Sequence, residues 1–274
     1  GEHAELSAER DGLKALLADT SLRWSKVAEE IKEVKSKFGQ KTKLGKRRTT
    51  IEESAPSVYV PIEVMVEREP ITVILSEMGW IRSMKGHVPL TDEFNFKEGD
   101  SLKFILHAQT TDKLLFFSES GQFFTVPGSE IPGGRGFGQP LRVMVDLPAG
   151  LEVVTMRVYR QGGKLLLASQ SGRGFIVEED NVLAQTKAGK KVMNTEDNDK
   201  AAFCVEAEGD AVATIGENRR LLVFKTEEIP VMARGRGVIL QKYRSGGIAD
   251  VKIFNMDEGL SYPMGGGTHV ERDL

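Results

Sequence analysis

Among the places where this sequence sets lysine or arginine beside glycine, four recur along it: Lys85-Gly86, Gly134-Arg135-Gly136, Lys187-Ala188-Gly189-Lys190 and Arg234-Gly235-Arg236-Gly237. Glycine lets a backbone N–H approach a phosphate closely, and the neighbouring cation supplies charge. One such loop is weak evidence. Four at equivalent places on one scaffold would make a basic rim able to hold a curved duplex, with little base specificity. The candidate rim residues are Arg82, Lys85, His87, Arg135, Lys187, Lys190, Lys191, Arg219, Arg220, Arg234, Arg236 and Lys242.

Residues for bond-making chemistry do not assemble in the same way. His3, His87, His107 and His269 show no metal-ligand spacing, and one cysteine cannot build a zinc site. There is no G-x-x-x-x-G-K-[ST] loop and no G-x-S-x-G elbow. Gly134-Arg135-Gly136-Phe137-Gly138 fails the G-x-G-x-x-G spacing, and no βαβ unit surrounds it. The pairs Glu178-Glu179 and Glu227-Glu228 read as solvated carboxylates at strand ends. Cys204, inside the apolar run Ala202-Phe203-Cys204-Val205, reads as a buried structural thiol.

The chain has 274 residues and a net charge of −3, which argues against a nucleic-acid partner until its distribution is considered. Segments 41–48, 80–88, 132–142, 186–193 and 233–244 hold sixteen Lys and Arg and no acid, so the remainder carries −19. Basic loops on an acidic body fit a localised phosphate-binding surface. The plainer alternative is that Lys and Arg simply populate exposed loops. A single cysteine excludes a disulfide framework and fits a reducing cytoplasm. No apolar run approaches the ~18 residues of a membrane span, and no signal peptide is visible.

The elements that position these loops repeat. Ile71-Thr72-Val73-Ile74-Leu75 reads as a buried strand, followed by Ser76-Glu77, a turn at Gly79, a short apolar piece and Lys85-Gly86. The order returns at Leu114 to Phe117 with Gly121, at Leu165 to Ala168 with Gly172, and at Ala211 to Thr214 with Asn218. The turn residues lie 42, 51 and 46 positions apart. Asn218 stands where φ > 0 is needed, a substitution that geometry tolerates. Periods near 45 residues with several short strands each are the mark of propeller blades. Gly99-Asp100, Ala149-Gly150, Gly209-Asp210 and Glu258-Gly259 read as hairpin turns. A fifth copy begins at Leu260 with Gly265-Gly266-Gly267 as its turn, and reads as truncated at Leu274.

Ahead of the repeats, residues 3–38 are helical by pattern. Trp24, Val27, Ile31, Val34 and Phe38 follow coiled-coil spacing, and Leu6, Leu13, Leu16 and Leu17 form an earlier stripe. Asp19-Thr20-Ser21 reads as a break with an N-cap, and Gly39 as a C′ stop. The segment reads as a helical hairpin or bent helix that is the end of a longer antiparallel coiled coil, or as one packed on the domain behind it. The organisation expected is therefore 1–39 helical, 40–57 a basic linker, and 58–274 a β domain whose first strand is Val58 to Val66, with Pro61 marking an edge or an irregularity.

Ser76-Glu77-Met78-Gly79-Trp80-Ile81-Arg82-Ser83-Met84-Lys85-Gly86-His87 closely resembles the first blade of the C-terminal domain of the ParC family, the A subunits of bacterial DNA topoisomerase IV among the type IIA topoisomerases. Residues 133–142, 164–191 and 233–242 resemble its later blades, and Phe38-Gly39 to Arg47-Arg48 resembles the end of the family's coiled coil. The resemblance implies a mainly β fold, a propeller-like β-pinwheel of about five blades that exchange strands, preceded by an N-terminal helical coiled-coil segment. It implies a rim that binds and bends double-stranded DNA and presents a transfer segment to the catalytic core for decatenation and relaxation.

The resemblance also implies partners in the remainder of a dimeric ParC-type chain and in the ATPase subunit ParE. ATP and Mg²⁺ would sit in other domains, with no cofactor here, no membrane, and a cytoplasmic, nucleoid-associated place. The related gyrase A protein carries a Gln-Arg-Arg-Gly-Gly-Lys-Gly box; Ala233-Arg234-Gly235-Arg236-Gly237 is only a partial likeness. The family's strand-cleaving tyrosine follows an arginine, whereas Tyr59, Tyr159, Tyr243 and Tyr262 follow Val, Val, Lys and Ser. The chain is therefore expected not to cut DNA by itself. A gyrase-type DNA-wrapping domain, a protein-interaction propeller of the WD40 type and, more distantly, a propeller enzyme remain the competing readings.

Overall fold

In the computed structural model, residues 1–46, 66–134 and 136–272 are described. The chain divides into two compact units, Gly1–Tyr59 and Val60–Leu274. The first holds helix α1 (Glu2–Ala18) and helix α2 (Thr20–Phe38). They break where the capping pattern predicts. Asp19 leaves the helical region (φ −116°, ψ 117°), and its carboxylate accepts the Ser21 N–H at 2.7 Å. No residue of either helix is buried, and Trp24 and Ile31 are 69% and 61% exposed. Gly39 ends α2 as expected, in an extended conformation (φ −62°, ψ 156°). Its glycine identity follows from close approach, since a Cβ would run into the Lys35 carbonyl oxygen. The strand expected over 58–66 falls, apart from Val66, outside the described residues, as does the linker from Arg47 onward.

The second unit is a series of small antiparallel sheets. Sheet 1 contains β1 (Pro70–Ser76), β2 (Trp80–Lys85), β3 (Leu102–Gln109) and β6 (Gln139–Pro140). Sheet 2 contains β4 (Lys113–Ser118), β5 (Gln122–Pro127), β7 (Val153–Val158) and β10 (Lys190–Lys191). Sheet 3 contains β8 (Lys164–Ser169), β9 (Arg173–Glu178), β11 (Ala201–Glu206) and β14 (Val238–Ile239). Sheet 4 contains β12 (Ala211–Gly216), β13 (Leu221–Lys225) and β15 (Ile248–Phe254). Strands β16 (Leu260–Met264) and β17 (Gly267–Glu271) form a final hairpin around Gly265-Gly266.

Strand exchange follows one rule. After each new hairpin the chain returns to the previous sheet as a two-residue strand, then comes forward again. Thus β6 pairs with β2, β10 with β5 and β14 with β9. The residue after each exchanged strand closes the joint. Leu141, Val192 and Leu240 donate their N–H to the carbonyls of Gly79, Gly121 and Gly172 at 2.8, 3.0 and 2.8 Å. A left-handed glycine precedes each exchanged strand: Gly138, Gly189 and Gly237, at φ +81°, +72° and +73°. A Cβ there would meet the carbonyl oxygen of Ile81, Phe123 or Gly174. Gly138→Ala should therefore cost about 2 kcal/mol or more, from left-handed strain plus overlap. Gly79→Ala, at φ +80° with nothing within 4 Å of a new Cβ, should cost only about 1 kcal/mol. Thermal melts of the two variants test that difference.

The central strands β1, β4, β8 and β12 are buried on both faces, so they read as unbroken apolar runs. Alternate residues enter different clusters between sheets. Leu114 and Phe116 face Val73 and Leu75 of sheet 1. Leu115 and Phe117 face Leu165 and Leu167 of sheet 3. Leu166 and Ala168 face Val212 of sheet 4. Ala211 and Ala213 pack with Leu260 of the last hairpin. Strands β3, β7, β11 and β15 touch their counterparts in neighbouring sheets, which sets them toward the common axis and leaves β6, β10 and β14 at the perimeter.

Several details correct the sequence reading. The left-handed turn residue of sheet 4 is Arg219 (φ +62°), not Asn218. The pairings Leu75↔Ile81 and Ile215↔Leu221 align Arg219 with Gly79, while Asn218 accepts the Arg220 N–H. Gly99, Gly150, Gly209 and Gly259 do turn the chain with φ > 0, but they lead it into a new strand and do not close hairpins. Lys85-Gly86 ends β2 and is not equivalent to the three exchange loops. Glu179 is not solvated: it is 1% exposed and bonded to Arg157. Cys204 is buried as expected, and burial pushes its thiol up to about 12.

Candidate nucleic-acid interface

The three exchange loops and the turns beside them bring most of the candidate cations to the perimeter. In sheet 2, Lys187 and Lys190 are exposed. Lys191 is half-buried, and its ammonium donates to the Ser120 carbonyl. Burial, and then the charge of Arg234, lower its pKa. The loop carrying Arg234 and Arg236 is stitched onto this segment. Gly235 donates to the Val192 carbonyl at 3.0 Å, and Asn194 donates to the Gly235 carbonyl at 2.8 Å. Two exchange loops thus form one patch across sheets 2 and 3.

The patch continues into sheet 4. The Gln241 amide donates to the Arg220 carbonyl at 3.4 Å, and its oxygen accepts from Thr214 and Tyr243 at 3.0 and 2.6 Å. This links the segment carrying Lys242 to the turn carrying Arg219 and Arg220, all exposed. Among the described residues, Lys187, Lys190, Arg219, Arg220, Arg234 and Lys242 have no ion-pair partner. Arg173 and Arg244 join them; Arg244 closes the basic segment 233–244, whereas Arg173 lies outside the basic segments. Arg173 follows the turn glycine of sheet 3 and pairs in register with Ile239; Arg244 is exposed beside Lys242. The sequence signal for Arg173 is that Gly172 and Gly174 flank it on both sides.

Other candidates have charge or hydrogen-bonding capacity already engaged. Arg82 donates to the carbonyls of Gly136 at 2.5 Å and Asn95 at 2.9 Å, and lies 5.7 Å from the Phe96 ring centroid. Lys85 pairs with Glu69 at 2.8 Å, and the hydrogen bond to that carboxylate raises its pKa. His87 stacks on His107 with centroids 4.4 Å apart and a ring nitrogen 3.0 Å from the Ala108 carbonyl. Arg236 pairs with Glu196 at 2.5 Å. Arg135 lies outside the described residues.

A strained Arg219 gives a test with two opposite signs. Glycine fills that position in sheets 1–3, and a left-handed arginine costs about 1 kcal/mol. Arg219→Gly should leave melting temperature unchanged or raised, while lowering the salt slope of duplex binding by about 0.9. A fall in melting temperature would show that the side chain holds the turn.

The family description "DNA gyrase C-terminal domain, beta-propeller" matches residues 112–158, 163–205 and 210–248, the segments that build sheets 2 to 4. The A subunit of DNA topoisomerase 4 from Rickettsia bellii is 42% identical over 274 residues, covering 100% of this chain and 37% of that protein. The chain belongs to the family of topoisomerase IV ParC-type C-terminal domains. The corresponding DNA topoisomerase 4 protein of Caulobacter vibrioides is 45% identical over 267 residues, covering 94% of this chain and 35% of its own length. The chain thus spans a little over a third of the curated relatives it matches. The solved Escherichia coli ParC C-terminal domain superposes with TM-score 0.66 at 28% identity, over 75% of this chain and 87% of that one. The exchange rule, read from hydrogen bonds alone, is how this family member builds its propeller-like unit.

Proposed function

We propose that the perimeter of the β unit binds and bends double-stranded DNA, presenting a transfer segment to a topoisomerase IV catalytic core for decatenation and relaxation. The observation that carries this is the run of cations, without ion-pair partners among the described residues, along the exchange loops of sheets 2 and 3 and the turn of sheet 4. In this reading the core is the rest of a dimeric ParC-type chain, with the ATPase subunit ParE supplying ATP hydrolysis. ATP and Mg²⁺ belong to those other parts of the assembly, in a bacterial cytoplasm and on the nucleoid. Among the described residues, no helix is long and apolar enough to cross a membrane.

The chain alone should bind duplex without cutting or relaxing it. Gel-shift titration at two salt concentrations should show affinity falling steeply with salt and varying little with sequence. Incubation with supercoiled plasmid, Mg²⁺ and ATP should leave topoisomers unchanged. Salt-independent binding would remove the perimeter from the DNA path, and relaxation by pure chain would overturn the division of labour.

A further inference from the structure

The perimeter is not uniformly polar. Aligned on their left-handed glycines, the exchanged segments read Phe137-Gly138-Gln139-Pro140, Ala188-Gly189-Lys190-Lys191 and Arg236-Gly237-Val238-Ile239. The middle one carries cations. The outer two carry large apolar side chains in water, Phe137 at 42% and Ile239 at 55% exposure. Each stands beside a guanidinium. Arg173 is directly opposite Ile239 across the β9–β14 pair, so both side chains leave the same face of sheet 3. Phe175, two residues on, is buried against Leu115 and Phe117, so that face looks toward sheet 2. Phe137 lines a small recess with Arg82.

Single exposed hydrophobics are ordinary on a protein surface. These two flank a cationic segment on the edge that the proposed function assigns to duplex DNA, and polyanions exclude most apolar partners from such an edge. We propose that Phe137 and Ile239 are wedges that enter the minor groove and open base steps, kinking the duplex on either side of the segment held by Lys187 and Lys190. This rests on the reading that duplex DNA follows the perimeter. Base-step faces are the apolar surface a duplex can offer such side chains, and Arg173 opposite Ile239 favours the narrow, negative minor groove. The kinks would fall at flexible pyrimidine–purine steps, giving a sequence preference without base-edge hydrogen bonds.

The test uses the 274-residue chain and end-labelled duplexes with central TpA or GpC steps, one strand carrying 2-aminopurine at the step. The wild-type chain should bring the ends together, raise 2-aminopurine fluorescence and favour TpA. Phe137→Ala with Ile239→Ala should lose all three, with affinity down by less than about tenfold and the salt slope and melting temperature unchanged. Ile239→Lys should tighten binding at low salt while still losing its kink, separating wedge from charge even if the alanine variant folds poorly. Bending, fluorescence and step preference equal to wild type in variants that still bind would make both side chains bystanders, with the perimeter reading intact. Failure of the wild-type chain to bind duplex would overturn both.

Discussion

Glu179→Ala should destabilise the β unit by about 3 kcal/mol, the largest loss expected from any one side chain outside the apolar clusters. Glu179 follows β9 in sheet 3 and is 1% exposed. One carboxylate oxygen accepts from Arg157 of β7 at 2.8 Å, and the other from the Arg160 N–H at 2.9 Å. Arg157 is itself only 11% exposed and also meets Glu206 of β11 at 2.9 Å. The network therefore staples sheet 2 to sheet 3. It also explains Gly163, where a Cβ would come 2.7 Å from the carboxylate. Removing the carboxylate leaves the buried Arg157 guanidinium with Glu206, an exposed partner, alone, and the cost of that under-compensated charge exceeds what the pair contributes over an apolar contact. Glu179→Gln keeps the volume and an acceptor, and should lose distinctly less in a chemical-denaturation comparison.

The same residue sets a pH dependence. Burial raises the Glu179 carboxyl above its ordinary 4.5, against the opposing Arg160 hydrogen bond and Arg157 charge. The folded state therefore holds this proton more tightly than the unfolded chain does. That contribution is fully present below 4.5 and is lost as pH rises through the raised value. The melting-temperature advantage of wild type over Glu179→Gln, which cannot titrate, should shrink as pH climbs through that window. A difference flat with pH would show that this carboxyl titrates normally.

The repeats were legible because their central strands are buried on both faces. Ile71 to Leu75, Leu114 to Phe117 and Leu165 to Ala168 are apolar runs that no solvent-facing strand would keep. The helix break at Asp19 was legible because capping is local. Three kinds of feature were not. The exchanged strands are two residues long, too short for any periodicity, and only their glycines and hydrogen bonds reveal them. The turn of sheet 4 was misplaced by one residue because Asn218 suits a left-handed position intrinsically, while the register of β12 against β13 puts Arg219 there. Glu179 looked like a solvated strand end because the partner that permits its burial, Arg157, comes from another sheet. For the interface, sequence located the loops but could not separate free cations from engaged ones, since Glu69 and Glu196 are brought to Lys85 and Arg236 only by folding.

That separation yields the largest effect expected on binding. Replacing Lys187, Lys190, Arg219, Arg220, Arg234 and Lys242 together by Ala should flatten the slope of log K against log salt by about 5 units, at ~0.9 per phosphate contact. Duplex affinity at low salt should fall roughly a thousandfold. Melting temperature should move little, since these side chains are exposed and hold no acid among the described residues. Replacing Lys85 and Arg236 instead removes formal charge without emptying a phosphate site, because Glu69 and Glu196 already neutralise both at 2.8 and 2.5 Å. Their loss should change the slope by less than about 0.5 and, as exposed pairs, stability by about 0–1 kcal/mol. For the same reason Arg234→Ala alone should account for nearly all the slope change of the Arg234, Arg236 double variant. Per-residue slopes equal in the two sets would mean that DNA breaks the ion pairs on binding, and that the free cations are not what defines the path. An unchanged slope in the six-residue variant would move the DNA off this perimeter.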